Sequence, residues 1–305
     1  MATTYNNLYL DVRRKLRQAD AADPTLEARE LVCFATGKTR EELFRDGGLY
    51  LSPELEKQVW ELVQRHLDGE PVAYLIGEWE FYGLPLDISP DVLIPRPDTE
   101  LLAHLAIEHC RTLPECRVLD LCAGSGCVGL AVAAHVPGAR VVLGDISEAA
   151  LRICRQNIRR NGLTGRVVPL AMDARKKPSP NLGEFHCIVS NPPYIPSGDI
   201  PGLDGSVRDF EPHLALDGGD GEISSKTPKI NRAVSQKPEK MSQLLKIKFG
   251  FSYEEVHHFH CTYLATVRRI LLNVDINRYS DESVINRFRS RYADCRVIFG
   301  IIYYG

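Results

Sequence analysis

The first candidate site is a loop of small residues that follows a short apolar run. Residues 118–121 read Val-Leu-Asp-Leu and lead into Gly124 and Gly126. Glycine has no Cβ, so the backbone at these two positions can turn tightly and lie close against a ligand. Asp145 ends the next apolar run about 20 residues further on, where a carboxylate can accept hydrogen bonds from both hydroxyls of a ribose. The spacing predicts a nucleoside-type site, the alternative being a turn without a ligand.

The position of Asp120 distinguishes between two nucleotide ligands. Gly129 follows Gly126 by three residues, so the glycine spacing alone does not exclude a dinucleotide. A carboxylate at Asp120, at the entry of the loop, would repel a pyrophosphate but could receive the ammonium group of S-adenosylmethionine. Asp173 is placed to accept a hydrogen bond from the adenine amino group, or else it caps its own loop. These residues favour S-adenosylmethionine as the cofactor.

The second candidate site is the tetrapeptide at residues 191–194, which reads Asn-Pro-Pro-Tyr. Two prolines cannot continue a central strand, so they fix a corner where the strand ends. Asn191 Oδ1 and the Pro192 carbonyl can accept both N–H bonds of an amide or exocyclic amine, which orients this poor nucleophile toward a sulfonium methyl group. Tyr194 can lie against the flat face of the same group. We predict that Asn191, Pro192 and Tyr194 are catalytic.

The elements that would position these residues alternate along the chain. Between residues 117 and 190, short apolar strands alternate with helical patterns, which indicates a parallel sheet with crossover helices. In such a sheet, ligands bind at the carboxyl ends of the strands. Residues 78–93 are typical of a hairpin that turns at Gly83.

Upstream, residues 5–77 show the 3–4 spacing of a small helical bundle. The predicted apolar positions of the second helix are Leu26, Leu31, Val32 and Phe34. The sequence therefore predicts an α/β, Rossmann-like methyltransferase domain preceded by a small all-α domain. The predicted boundaries are 1–77 for the helical domain, 78–93 for a β-hairpin linker, 94–221 for the methyltransferase domain and 222–305 for an atypical tail.

Together these motifs resemble the HemK/PrmC family of protein-glutamine methyltransferases over about residues 5–221. The match includes the helical N-terminal domain and residues 83–90. The other matching segments are the run Ile-Pro-Arg-Pro-Asp-Thr-Glu at 94–100, the loop at 120–126, Asp145, the tetrapeptide at 191–194, Val-Arg-Asp-Phe-Glu-Pro at 207–212, and residues 215–221. The resemblance implies S-adenosylmethionine-dependent N5-methylation of the glutamine in the Gly-Gly-Gln motif of class 1 peptide-chain release factors. It also implies that the helical domain recognises the release factor.

The resemblance assigns roles to individual residues. It implies that the cofactor is bound by Cys122, Ala123, Gly124, Ser125, Gly126, Asp145 and Asn191. Asp120, Asp173 and Ala174 complete the predicted cofactor set, although some relatives have an aromatic residue at position 174. The substrate glutamine is expected on Asn191, Pro192, Pro193 and Tyr194.

Charge and composition change at Glu222. Residues 1–221 carry 23 basic and 32 acidic side chains, a net charge of −9, and residues 222–305 carry 14 and 8, a net charge of +6. The acidic first part argues against a nucleic-acid substrate. Beyond Glu222 the resemblance ends, since the fifth strand and final hairpin of the family have no recognisable counterpart.

Other features limit the cellular setting and the partners. The nine cysteines contain no C-x-x-C pair, which argues against a zinc ribbon. The chain has neither a signal peptide nor an apolar stretch of roughly 20 residues, so we expect a cytoplasmic monomer without a membrane span. The run His-His-Phe-His-Cys at 257–261 lacks a second ligand pair in the tail, so no metal site is predicted.

Two alternatives stay open at this stage. The same site could methylate a glutamine of a ribosomal protein or an exocyclic amine of DNA or RNA. The chain could also be an inactive relic that binds release factors, because the divergent tail would leave the sheet incomplete.

Overall fold

The computed structural model describes residues 3–176, residues 179–219 and the backbone of the strand Arg296–Phe299. The chain forms two compact units. The first, the helical unit, contains the chain up to Trp79 together with Asp87–Pro90 and Gly202–Glu211. The second, the sheet unit, contains Glu80–Leu86, Asp91–Pro201 and the described residues from Pro212 onward. The predicted fold class, a helical region followed by a Rossmann-like parallel sheet, is confirmed.

Side-chain caps set the beginnings of the helices in the helical unit. The helices are α1 Tyr5–Gln18, α2 Pro24–Thr36, α3 Arg40–Arg45, α4 Pro53–Leu67 and α5 Val72–Ile76. Asp23 accepts hydrogen bonds from the first turn of α2, and Thr39 forms the predicted capping box with Glu42. Leu8, Val12 and Leu16 of α1 pack with α2 and α4 in one buried cluster.

The prediction for Phe34 is wrong. Its side chain is 50 % exposed, whereas Leu31 and Val32 of the same helix are fully buried. The buried face of α2 repeats at Ala28, Leu31 and Val32, and position 34 lies about 200° around the helix from Val32. Phe34 therefore points to solvent.

A β-hairpin consists of β1 Glu78–Phe81 and β2 Leu84–Asp87. It turns at Tyr82 and Gly83, which have φ angles of +51° and +77°. Two successive left-handed residues match the right-handed twist of a tight hairpin. Glu100 Oε1 accepts the Tyr82 N–H at 2.9 Å, and the Tyr82 hydroxyl lies 2.9 Å from His104 Nδ1. These two bonds tie the turn to the next helix.

The sheet unit contains one parallel sheet with the strand order β5-β4-β3-β6-β7. Its strands are β3 Cys116–Leu121, β4 Ala139–Asp145, β5 Val167–Ala171, β6 Cys187–Ser190 and β7 Arg296–Phe299. The helices are α6 Pro97–Cys110, α7 Cys127–His135, α8 Glu148–Arg160, α9 Gly205–Arg208 (in the helical unit) and α10 His213–Leu216, with 3₁₀ turns at Pro180–Leu182 and Ser197–Gly202.

Gly129 brings α7 close to the sheet. A Cβ atom at this position would lie 2.4 Å from Leu143 Cδ2 and 2.9 Å from Val141 Cγ1 of β4. Apart from its last two residues, α7 is buried on all sides, as its uniformly apolar sequence requires. Gly129, the third glycine of the motif, therefore allows α7 to pack closely on β4.

Strand β7 gives β6 a neighbour on its second side. The register pairs Cys187 with Arg296 and Ser190 with Phe299. Sequence reasoning indicates a β-prone segment there, and the backbone forms one. The His-rich run at 257–261 lies outside the described residues.

Candidate functional site

The carboxyl ends of three adjacent strands bring the predicted site residues together. Leu121, the last residue of β3, pairs with Gly144 of β4 and with Ser190 of β6. Cys122, Asp145 and Asn191 come next on these strands, so they lie along one edge of the sheet. The Ser190 hydroxyl donates a 2.8 Å hydrogen bond to the Leu121 carbonyl, which locks β6 to β3 at this edge.

The loop after β3 has an unusual backbone. Cys122, Gly124 and Gly126 have φ angles of +59°, +56° and +82°. The left-handed conformation costs a residue other than glycine roughly 1–2 kcal/mol, so Cys122 is held there by its surroundings. A Cβ atom at Gly124 would meet nothing within 4 Å, so this position leaves its backbone open to a ligand.

Helix α8 supports the loop from beneath. Asn157 Nδ2 donates to the Ser125 carbonyl at 3.0 Å, and Cys154 Sγ donates to the Gly124 carbonyl at 3.2 Å. Asn157 and Ser125 are buried. Sequence reasoning missed Asn157 and Cys154, because their contacts with the loop depend on the packing of a distant helix.

Asp145 is fixed by two backbone N–H groups. Its Oδ2 accepts from Gly124 at 2.8 Å, and its Oδ1 accepts from Ser147 at 2.9 Å. Each carboxylate oxygen keeps a second lone pair for a ligand hydroxyl. The carboxylate is thus oriented by the loop before any ligand binds, and its position is compatible with the predicted ribose contact.

Asp120 lies beneath the loop. It is 2 % exposed, and its Oδ2 accepts the Gly129 N–H at 2.8 Å. Burial raises the pKa of this carboxyl to about 7, although the Gly129 N–H opposes the shift. The sequence predicts that Asp120 contacts the cofactor ammonium. In the structure, Asp120 is hydrogen-bonded to Gly129 near the beginning of α7.

Asp173 is engaged within its own loop. Its Oδ1 accepts from the backbone and Nε of Arg175, at 3.0 and 2.9 Å, and its Oδ2 accepts from Arg175 Nη2 at 3.0 Å. This hydrogen bonding holds the pKa of Asp173 below its usual value. The loop-capping alternative therefore describes the Asp173 contacts in the structure. Ala174 packs beside the apolar cluster of Leu119, Leu121 and Phe185.

A small pocket lies beside the tetrapeptide after β6. Its lining residues are Leu93, Arg96, Asn191, Pro192, Tyr194, Ile195, Ala215 and Leu216. Sequence reasoning predicted Asn191, Pro192 and Tyr194 as site residues. The motifs at 94–100 and 215–221 contain Arg96, Ala215 and Leu216, but their roles could not be derived without the fold. Leu93 carries no signal in the sequence.

The Oδ1 atom of Asn191 is buried and has no hydrogen-bond partner among the described residues. Leaving a buried acceptor unpaired costs about 1–3 kcal/mol, so such atoms usually find a donor in the protein, in water or in a ligand. Most residues that line the pocket are apolar, and Asn191, Arg96 and Tyr194 are its polar ones. This arrangement suits a planar amide group whose N–H would satisfy Asn191.

The fold and the site define an S-adenosylmethionine-dependent methyltransferase. Two family models match the chain: "PrmC N-terminal domain" over residues 7–77 and "Methyltransferase small domain" over residues 99–200.

The chain covers most of the length of several curated relatives named release factor glutamine methyltransferase. The protein of Moorella thermoacetica is 38 % identical over 207 residues, which is 68 % of this chain and 72 % of the relative. That of Deinococcus radiodurans is 33 % identical over 229 residues, 75 % of this chain and 80 % of the relative. That of Neisseria gonorrhoeae is 42 % identical over 194 residues, 63 % and 69 % of the two chains.

The chain belongs to the release factor glutamine methyltransferase family. It is a protein-glutamine methyltransferase with S-adenosylmethionine as its cofactor, which confirms the resemblance, the enzyme class and the cofactor predicted from the sequence. No helix in the described part of the chain is long and apolar enough to cross a membrane.

Proposed function

We propose that the chain methylates the side-chain N5 atom of the glutamine in the Gly-Gly-Gln motif of class 1 peptide-chain release factors. The observation that carries this proposal is the buried Asn191 Oδ1, which has no hydrogen-bond partner among the described residues and belongs to the pocket at the end of β6. The names of the relatives support the release factor as the substrate.

The chain's own residues would orient the amide. Asn191 Oδ1 and the Pro192 carbonyl accept the two N–H bonds of the glutamine amide, and Tyr194 lines the pocket beside them. The two acceptors also stabilise the positive charge that develops on nitrogen during transfer.

S-adenosylmethionine supplies an electrophilic methyl group on a sulfonium. The amide nitrogen forms the new bond to the methyl carbon as the carbon–sulfur bond breaks, and the nitrogen then loses one proton to solvent. In this proposal Asp145 and residues 122–126 would hold the nucleoside part of the cofactor, and Asp120 would pair with its ammonium group. Asp173 can take the adenine contact only by sharing its carboxylate with Arg175.

The test is the intact mass of a purified release factor after incubation with the full chain and S-adenosylmethionine. We expect a gain of one methyl group, and no gain on a release factor whose Gly-Gly-Gln glutamine is replaced by glutamate. No gain on the unaltered release factor overturns the proposal. Methylation of a ribosomal protein or a nucleic acid in the same assay identifies the other substrate class, and loss of donor binding in calorimetry identifies an inactive relic.

We further propose that the helical domain, residues 1–77, docks the release factor. Large apolar side chains lie exposed there, with Phe44 91 % and Tyr50 70 % accessible. Replacing both by serine should raise KM for the release factor and leave the affinity for S-adenosylmethionine unchanged. An unchanged KM would place the docking surface elsewhere.

We also propose that the enzyme works as a monomer in the cytoplasm. The cysteines of the described residues are all free, and several of them, including Cys110 and Cys116, are buried. Free thiols are consistent with a reducing compartment. Cell fractionation and light scattering test the two parts of this proposal.

A further inference from the structure

The tetrapeptide after β6 contains two prolines in succession, and proline has no backbone N–H group. The corner that it forms therefore has two donors fewer with which to bind a neighbouring segment. Its beginning is held by the Ser190 hydroxyl, which donates to the Leu121 carbonyl at the end of β3. Its other end is held by residues that come later in the same sheet unit.

Residues 216–218, which we call the bracing segment, form a short ladder with Ile195. The Ile195 N–H donates to the Leu216 carbonyl at 3.0 Å, and the Gly218 N–H donates to the Ile195 carbonyl at 2.8 Å. Ile195 pairs with Asp217 in a parallel bridge. Ile195 and Leu216 are buried and line the pocket. The ladder thus holds the residue that directly follows the tetrapeptide.

A second contact holds the tetrapeptide itself. A Cβ atom at Gly218 would lie 2.8 Å from Tyr194 C, 2.9 Å from Tyr194 Cα and 3.2 Å from the Pro193 carbonyl oxygen. These neighbours are backbone atoms, which cannot turn aside as the end of a flexible side chain can. The φ angle of Gly218 lies outside the left-handed region, so the close approach is what requires a glycine here.

Asp217 attaches the bracing segment to the chain beyond Ile195. Its Oδ1 accepts the Ser197 hydroxyl and the Gly219 N–H, both at 2.7 Å. These two donors hold the pKa of the Asp217 carboxyl below its usual value, so the acceptor is ionised near neutral pH. Gly219 has a φ of +86°, so the chain turns directly after the segment.

We propose that Gly218 and Asp217 are positioning residues for methyl transfer, which act by holding the backbone of the tetrapeptide corner. The inference rests on the proposed function, in which Asn191 Oδ1 and the Pro192 carbonyl accept the two N–H bonds of the glutamine. One of these acceptors is a backbone atom, so its position follows the backbone that the bracing segment holds. A shift of about 1 Å would misdirect the amide nitrogen, and misplacement of this size can cost about 100-fold in rate.

The first experiment compares single-turnover methyl transfer to the release factor by Gly218→Ala and by the unaltered full chain. The added methyl group must displace the Tyr194 backbone, so we expect transfer to fall about 10- to 100-fold. The affinity for S-adenosylmethionine, measured by calorimetry, should change little. Gly198→Ala is the control, since its added Cβ would meet nothing within 4 Å in the 3₁₀ turn after Ile195, and it should behave as the unaltered chain.

A double-mutant cycle shows whether Gly218 acts through the tetrapeptide. Residues that act as one unit give non-additive losses. Once Asn191→Ala has removed its acceptor, adding Gly218→Ala should lower transfer by less than about 3-fold more, whereas two independent defects would multiply.

Asp217 allows a rescue by a conservative variant. Asp217→Ala removes the acceptor of the Ser197 hydroxyl and should lower transfer about 10-fold, because the bracing segment loses one of its attachments. Asp217→Asn keeps a carbonyl oxygen at the same position and should restore most of the rate. Equal losses in the two variants would exclude the positioning role of Asp217.

Amide hydrogen exchange, measured by NMR, tests the bracing segment without a substrate. The Ile195 and Gly218 N–H groups should be protected in the unaltered chain. In Gly218→Ala, the Ile195 amide should exchange at least about 10-fold faster, because displacement of the segment opens the ladder. The amides of β3 should keep their protection in both chains.

The results separate this inference from the proposed function. Normal transfer by Gly218→Ala, an equal loss of donor affinity, or losses that multiply with those of Asn191→Ala would each overturn the positioning role. If the unaltered chain methylates no release factor, the proposed function is wrong. The exchange of the Ile195 amide then decides on the bracing segment by itself, and unchanged protection in Gly218→Ala overturns it.

Discussion

At the scale of single residues, the site depends on side chains whose polar atoms are oriented before a ligand binds. Asp145 is held by two backbone N–H groups, whereas Asn191 Oδ1 is left without a partner among the described residues. The two hydrogen bonds of Asp145 stabilise the loop. A ligand that donates a hydrogen bond to Asn191 Oδ1 would remove the cost of leaving this acceptor unpaired. In the proposed function, the Asp145 carboxylate shapes the cofactor loop and the Asn191 carboxamide accepts an N–H of the substrate.

We expect Asn191→Ala to lower single-turnover methyl transfer by at least about 100-fold, because removing one preorganised polar contact to a developing charge has an effect of this size. The affinity for S-adenosylmethionine, measured by calorimetry, should change little. Asn181→Ala is the matched control, since Asn181 is exposed and lies in the 3₁₀ turn before β6. Transfer that persists in Asn191→Ala would refute the assigned role.

Donor binding should depend on the protonation of Asp120. Burial raises the pKa of its carboxyl to about 7, above an unfolded value of about 3.9. Below pH 7 the folded chain therefore keeps a proton on Asp120, and the carboxyl must lose this proton before it can attract an ammonium group. Affinity for S-adenosylmethionine should therefore rise between about pH 5.5 and 7.5, below the range in which an α-amino group itself titrates.

Asp120→Asn should abolish this pH dependence, because the amide cannot ionise but can still accept the Gly129 N–H. Calorimetry across the same pH range is the measurement. The same shift affects folding: the protonated carboxyl contributes stability below about pH 4, and this contribution is lost as the pH rises toward 7. A pH dependence that survives in Asp120→Asn would assign the titration to another group.

Residue types and spacing could predict which side chains meet at the edge of the sheet, since strand ends are visible in the sequence. They could not predict what those side chains touch. The pairing of Asp173 with Arg175 depends on the turn the loop adopts, and the bond from Asp120 to Gly129 depends on how far α7 sinks toward β4. Both are set by packing rather than by spacing.

At the scale of elements, α7 and its loop show how closely helix and strand must approach. The all-round burial of α7 and the missing Cβ of Gly129 are two aspects of one contact. Caps at Asp23, Thr39 and Ser52 made the helix beginnings readable from the sequence. The orientation of Phe34 was not readable, because a large apolar residue near a helix end suggests burial unless the neighbouring core is known.

Gly129→Ala should destabilise the chain by about 1–3 kcal/mol, the usual cost of an added methyl group in a packed core. The new Cβ would meet Leu143 and Val141, both of which belong to the central part of the sheet. Gly48→Ala is the control, since its added Cβ would meet nothing within 4 Å. Urea unfolding followed by circular dichroism measures the difference, and equal stability of the two variants would contradict the packing argument.

At the scale of the whole molecule, the chain does not divide into units in simple sequence order. The segment Gly202–Glu211 lies in the helical unit, far along the chain from helices α1–α5. Local patterns reveal helices and strands, but nothing in the periodicity of residues 202–211 shows which unit they join. The folded structure shows that they join the helical unit, where Phe210 contacts Gly69.

The sheet should require its last strand. Deleting residues 296–305 removes β7 and leaves β6, which precedes Asn191, with unpaired backbone groups on one side. Such an edge promotes association between chains, so we expect this variant to aggregate and to lose donor binding. Deleting only residues 300–305 retains β7 and is the control. Light scattering and calorimetry should separate the two, and identical behaviour would contradict the structural role of β7.

The position of β7 in the chain also has a consequence for biosynthesis. Strand β6 ends at Ser190, and its neighbour begins only at Arg296. At about 5–20 residues per second, a ribosome needs roughly 5–20 s to make the intervening stretch. During that time β6, which leads into Asn191, has β3 on one side and lacks the strand β7 on the other. Chaperones that shield exposed strands would be most useful to this enzyme in those seconds, before translation of its own message has ended.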